Sequence, residues 1–144
     1  MNHYEKDKEK LKIVITVGDE SGIGPEIILK ALSSDELPKD VDTLIVGSKK
    51  NLQETFMVLK SLGVKNIADP GNYQIHNIDI PSKNKEPKFL YGNSSFHYLK
   101  EGIDLVKQNP YSALVTGPIC KKSWSVAGHK YSGQTEVLAD SCGV

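Results

Sequence analysis

Cysteine and tryptophan are almost missing from this sequence, with two of the first and one of the second in 144 residues. Cys120 and Cys142 match no metal-ligand or redox spacing, so a thiol cluster is excluded and both read as free thiols. Excess charge is missing as well: eighteen basic and eighteen acidic residues cancel. Nothing in that balance points to a nucleic-acid or anionic-membrane partner. No apolar run approaches transmembrane length, and residues 1–12 form a polar tail without the apolar centre of a signal peptide. The expected location is the cytoplasm. Internal repeats and low-complexity tracts are also lacking.

What is present is an alternation of short apolar runs and helical patterns, the mark of an α/β fold. Residues 13–17 (Ile-Val-Ile-Thr-Val) are mostly β-branched and predict a parallel strand covered on both faces. Gly18, Gly22 and Gly24 follow, allowing positive φ or close backbone approach, and Pro25 suits a first helical position. A helix is predicted over 25–33, with Glu26 in its positive first turn. Open α/β sheets bind ligands at loops of this kind, beyond the carboxyl ends of strands. This loop matches neither G-x-G-x-x-G nor a G-K-[ST] phosphate loop, and Asp19 and Glu20 would repel a phosphate docked beside them. It suits a hydroxyl or ammonium ligand, or a purely structural turn with solvated acids.

Residues 43–46 form a second apolar run, and helical spacing over 51–62 stops at Gly63. Residues 64–68 read as a third strand, broken by Asp69-Pro70-Gly71. From Asn72 to Lys88, Tyr73 and several isoleucines mix with prolines, lysines and asparagines. That stretch reads as an extended excursion out of a first lobe, with a crossover near 72–92. Phe96, Leu99, Ile103 and Val106 predict an amphipathic helix over 94–108, ended by Asn109-Pro110. Residues 113–116 read as another buried strand, turned at its carboxyl end by Gly117-Pro118.

Three segments taken together carry a resemblance. They are Thr16-x-Gly18-Asp19-x-x-Gly22-Ile23-Gly24-Pro25-Glu26, the run from Ala113 to Lys121, and Gly133-Gln134-Thr135-Glu136. In order and spacing the chain resembles the amino-terminal part of the 4-hydroxythreonine-4-phosphate dehydrogenase family of vitamin B6 biosynthesis, from about Lys12 onward. The resemblance implies an isocitrate/isopropylmalate dehydrogenase-like fold, with two α/β lobes around a cleft, incomplete here because family members are well over twice as long. It also implies a homodimer, NAD as oxidant, decarboxylation after oxidation of a secondary alcohol, and a divalent metal whose histidine ligands follow this stretch.

The family's G-H-T-E segment becomes Gln134 and Thr135 at the two positions that contact substrate. Glutamine donates and accepts hydrogen bonds but cannot carry an imidazolium charge, so Thr135 is the better preserved contact and Gln134 an altered one. Without the family, both would read as a polar helix start capped by Thr135 or Gly133. Lys121 follows a strand-end turn, where its ammonium could meet phosphate or carboxylate oxygens, or simply stay solvated beside Lys122. Thr116 and Asp19 also lie at strand ends. Trp124 and Tyr131 are expected to pack the neighbouring helix and loop. His3, His76, His97 and His129 lack paired ligand spacing and read as surface or loop histidines. No motif assigns residues to NAD.

The substrate implied is a phosphorylated hydroxy acid, 4-phosphooxy-threonine. A phosphorylated four-carbon sugar acid is the near alternative that the histidine-to-glutamine change keeps open. Phosphate acyltransferases share the broad fold and offer a different chemistry, and an inactive truncated product is a third reading.

Overall fold

A central strand hydrogen-bonded on both sides organises the molecule. The structure, a computed structural model, describes residues 10–144; His3 and most of the predicted polar tail lie outside the described residues. Strand β1 (Lys12–Thr16) pairs in parallel with β2 (Asp42–Gly47) on one side and β4 (Ser112–Thr116) on the other, so that Ile15 faces Ile45 and Val115 in register. The edge strand β3 (Gln74–Asn77) adds to β2, giving a four-stranded parallel sheet in the order β3-β2-β1-β4.

Helix α1 (Gly24–Leu32) begins as its glycine-proline start predicts, and its buried Ile28, Leu29 and Leu32 join Val14, Val17 and Ile45 in the larger core. Each such aliphatic side chain, when fully buried, contributes roughly 1.5–3 kcal/mol. Helix α2 (Lys49–Ser61) is capped by Ser48, whose hydroxyl accepts from the Asn51 N–H at 3.1 Å. It stops before Gly63, which takes φ 75°. Helix α1 packs against α2, whereas α3 (Pro87–Gln108) lies across β1, β2 and β4.

Three expectations need correction. Residues 64–68 form no strand. Asn66 adopts φ 57°, which breaks an extended run, and the Ala68 N–H donates to the Leu29 carbonyl at 2.8 Å. The apolar residues there plug the core from a loop. Second, the supposed excursion contains β3 and therefore stays with the sheet at that point. Its mixed composition is that of an edge strand with exposed Gln74 and Asn77. Helix α3 then starts seven residues earlier than predicted, at Pro87, because the Glu86 carboxylate caps it by accepting from the Phe89 N–H at 2.6 Å. Third, β4 is an edge strand and not a buried one: Ala113 is exposed and Val115 is 50% exposed.

Helix α3 makes two close approaches through glycine. Gly102 lies against the Thr16 and Leu114 side chains, and Gly92 lies directly on the Ser123–Trp124 backbone of α4 (Lys121–Val126). A second core of Leu99, Ile103, Trp124 and Val137 fills the space between α3, α4 and α5 (Gln134–Cys142). Trp124 is fully buried there, its indole N–H donating to Ser95 Oγ at 2.9 Å. Among the described residues no helix is long and apolar enough to cross a membrane.

Candidate functional site

The carboxyl ends of β1 and β4 are bolted together by backbone. The Gly117 N–H donates to the Thr16 carbonyl at 2.7 Å, and the Asp19 N–H donates to the Pro118 carbonyl at 2.8 Å. Gly18 makes this possible: it adopts φ 77°, and any side chain there would run into Gly117 and Pro118. The two corners that the sequence marked separately therefore form one surface.

Asp19 is only 5% exposed, and one of its carboxylate oxygens accepts from both the Ser21 N–H (2.8 Å) and the Ser21 hydroxyl (2.6 Å). The expectation of solvated acids in this loop is corrected: Asp19 closes its own turn, an arrangement that short acidic side chains favour. Glu20 turns toward α3 and accepts a hydrogen bond from the hydroxyl of buried Tyr98. Burial raises the Glu20 carboxyl above the usual glutamate range, and the nearby Asp19 and Asp79 charges add to this against the hydrogen bonds from Tyr98 and Ser48. The same burial, with Glu20 beside it, pushes the Tyr98 phenol up. Sequence reading missed this pair. Tyr98 lies on the predicted helix, but only the tertiary fold sets it over the loop, 78 positions away in the chain.

Gln134 opens α5, and its side-chain N–H donates to the Gly117 carbonyl at 3.1 Å. This bond draws the Gly133–Glu136 segment onto the end of β4. Gly133 stands at the N-cap in extended backbone and provides no side-chain cap, and exposed Thr135 does not cap either. Instead Ser132 pairs with Glu136, its N–H donating to Glu136 Oε2 at 2.8 Å. The Ser132 hydroxyl and N–H, helped by the Lys121 charge, hold the Glu136 carboxyl below its usual range.

Lys121 is exposed at the start of α4, with its side chain running past Gly133. Lys121, Gln134 and Thr135 thus share one neighbourhood. Thr116 instead helps line an apolar hollow of about 240 Å³ formed with Ile15, Ile27, Ile28, Ala31, Val115 and Gly117. Cys120 and Cys142 are free thiols, and Cys120 is eased toward ionisation by hydrogen bonds from Ser123.

Of the described histidines, His97 and His129 lie edge to face with ring centroids 6.2 Å apart, and His76 lies on β3. His76 is in β3 rather than a loop, with Nε2 3.1 Å from Glu101 Oε1. His97 is exposed on α3. His129 follows α4, stacks on Phe96 at 3.8 Å between ring centroids, and meets Asn93 Oδ1 at 3.2 Å. Burial, then the nearby His97, lowers its pKa. Tyr131 also lies parallel to Phe96, and its hydroxyl donates to Asp140 at 2.6 Å. Trp124 and Tyr131 therefore serve packing, as expected.

Comparison with known proteins gives a consistent picture. The family described as "Pyridoxal phosphate biosynthetic protein PdxA" matches residues 39–144. A 4-hydroxythreonine-4-phosphate dehydrogenase of Synechocystis sp. is 37% identical over 139 residues, covering 92% of this chain and 40% of its own length. A candidate D-threonate 4-phosphate dehydrogenase of Oceanobacillus iheyensis is 31% identical, covering 89% of this chain and 42% of its own length. The crystal structure of a 4-hydroxythreonine-4-phosphate dehydrogenase from Burkholderia phymatum superposes with a TM-score of 0.77 at 23% identity, over 94% of this chain and 44% of that one, a likeness of fold. The chain spans about two fifths of the length of the curated relatives it matches.

Proposed function

The chain belongs to the PdxA family of pyridoxal phosphate biosynthetic proteins, and from that premise we propose that it forms the substrate-binding start of an NAD-dependent, divalent-metal-assisted dehydrogenase. Its substrate in this reading is 4-phosphooxy-threonine, whose secondary alcohol is oxidised and whose carboxylate is then lost as carbon dioxide. A homodimer completing the active sites belongs to the same reading.

The observation that carries it is the bond from the Gln134 amide to the Gly117 carbonyl. It seats the segment that resembles the family's substrate contact at the carboxyl end of a parallel strand, where α/β enzymes gather their ligands. There the exposed Lys121 ammonium attracts an anionic group of the substrate as a point charge. The Thr135 hydroxyl donates or accepts beside it. The Glu20–Tyr98 pair buttresses the neighbouring loop.

Neither the metal nor NAD fits these residues by themselves. Among the described residues no group of three or more His, Cys, Asp or Glu side chains could hold a metal ion. The Gly18–Gly24 loop is no pyrophosphate cradle, since Asp19 fills it with its own turn and Glu20 adds a second acid.

A direct test is NADH formation from 4-phosphooxy-threonine by the protein as its own gene encodes it. Turnover with release of carbon dioxide is expected. A second substrate, a phosphorylated four-carbon sugar acid, is favoured by Gln134 standing where the family has histidine, and by the name of the Oceanobacillus relative. Inactivity on both would overturn the dehydrogenase reading.

A further inference from the structure

Asn93 and His97 stand four residues apart on one face of α3, and His129 comes down beside them from the loop between α4 and α5. His129 Nε2 and Asn93 Oδ1 are 3.2 Å apart. Two donors held at about 2.0–2.1 Å by one tetrahedral ion stand roughly 3.3 Å from each other, so this pair already has the spacing of two ligands. The His97 and His129 rings meet edge to face with centroids 6.2 Å apart. Rings bound through nitrogen to one tetrahedral ion have centroids roughly 5 Å apart, and exposed His97 closes that difference by a ring movement of about 1 Å. Phe96 stacks on the His129 ring at 3.8 Å and fixes its plane. Burial and the nearby His97 favour the neutral His129 ring, the form that ligates. Sequence spacing hid the group, because one member is an amide and His129 lies 36 positions from it.

We propose that Asn93, His97 and His129 form a binding site for a divalent ion of the zinc type, separate from the metal that the family's chemistry implies. Two imidazole nitrogens select Zn²⁺, Ni²⁺ or Cu²⁺ over Mg²⁺ and Ca²⁺. The Asn93 amide oxygen is the third donor, and water takes the fourth position. With Asn93 Oδ1 accepting, His129 Nε2 carries the hydrogen between them. The arriving ion sheds water and takes that hydrogen's place, and the ring moves its proton to Nδ1. One ion then ties the 127–133 loop to α3, where otherwise a ring stack and one hydrogen bond hold His129. That loop leads directly into α5, so the ion steadies the approach to that helix without touching it.

The test is Zn²⁺ binding to the protein as its gene encodes it, stripped of metal by a chelator and followed by calorimetry and by the histidine ring-proton signals in NMR. One binding step of the parent should be at least about tenfold weaker in His97→Ala. In the parent, that step should shift the His97 and His129 signals together and leave those of His76 in place. His129→Asn should lose the same step, and the double variant no more than either single one, because the donors serve one ion. His97→Ala removes an exposed side chain, so it decides the matter even where His129→Asn fails to fold. His76→Ala is the control and should bind Zn²⁺ as the parent does. Unchanged Zn²⁺ binding by His97→Ala would overturn the proposal. An equal loss in His76→Ala would overturn it too, since the ion would then be held by surface histidines at large.

Discussion

Glu20 is the residue whose environment most clearly conflicts with its charge. Its folded pKa is raised above the ordinary 4.5, chiefly by burial, so its contribution to stability is fully present below that value and is lost as pH rises through the raised one. Glu20→Gln keeps an acceptor for the Tyr98 hydroxyl and removes the titration. The variant should match the parent at about pH 4 and be the more stable of the two at about pH 7.5, by urea denaturation. Equal stability at both pH values would mean that water reaches the carboxylate and that burial does not govern it.

At the scale of elements, the candidate site depends on α3 holding α4 close. Gly92 admits this contact by lacking a Cβ, with the backbone of Ser123 and Trp124 in the space a methyl would need. Backbone cannot yield as a flexible side chain does, so Gly92→Ala should cost roughly 1–3 kcal/mol, the usual range for overpacking. A denaturation midpoint unchanged within error would show that the two helices separate freely. The helix ends themselves were legible as local chemistry. Pro25 opens α1 and Gly63 follows the end of α2, whereas α2 starts two residues before the predicted Asn51, behind a Ser48 cap that the spacing did not mark. The start of α3 was not legible, because Gly92-Asn93-Ser94-Ser95 interrupts the helical spacing between Phe89 and Phe96, and the Glu86 cap follows a stretch rich in lysine, asparagine and proline.

At the scale of the whole molecule, one sheet joins two cores, and Leu114 packs against both. Trp124, the sole tryptophan, is buried in the smaller core and serves as a probe of that end. Its fluorescence and the far-ultraviolet dichroism should change together in urea, as expected where two cores share one sheet and unfold as one cooperative unit. An earlier fluorescence transition would show that α4 and α5 melt apart from the sheet, and the geometry of Gln134 would then be maintained only locally.

The sequence by itself determined the α/β class, the strand–turn–helix corners at Gly18–Pro25 and Gly117–Lys121, and the family. These rest on local causes: β-branched runs, glycines where backbone must pass close, proline at a helix start, and motifs in fixed order. Tertiary structure alone decided that 64–68 is a core-plugging loop, since the same apolar residues would serve a strand equally well. It also decided that 74–77 is an edge strand and that β4 leaves Val115 open. The site divides along the same line. The motifs marked Gln134, Thr135 and Lys121 as candidates, but not the partner that orients Gln134. The Gly117 carbonyl that fixes the Gln134 amide, and the Tyr98 hydroxyl that holds Glu20, lie 17 and 78 positions away in sequence. Contacts of that separation are set by how helices pack on the sheet, which no local pattern encodes.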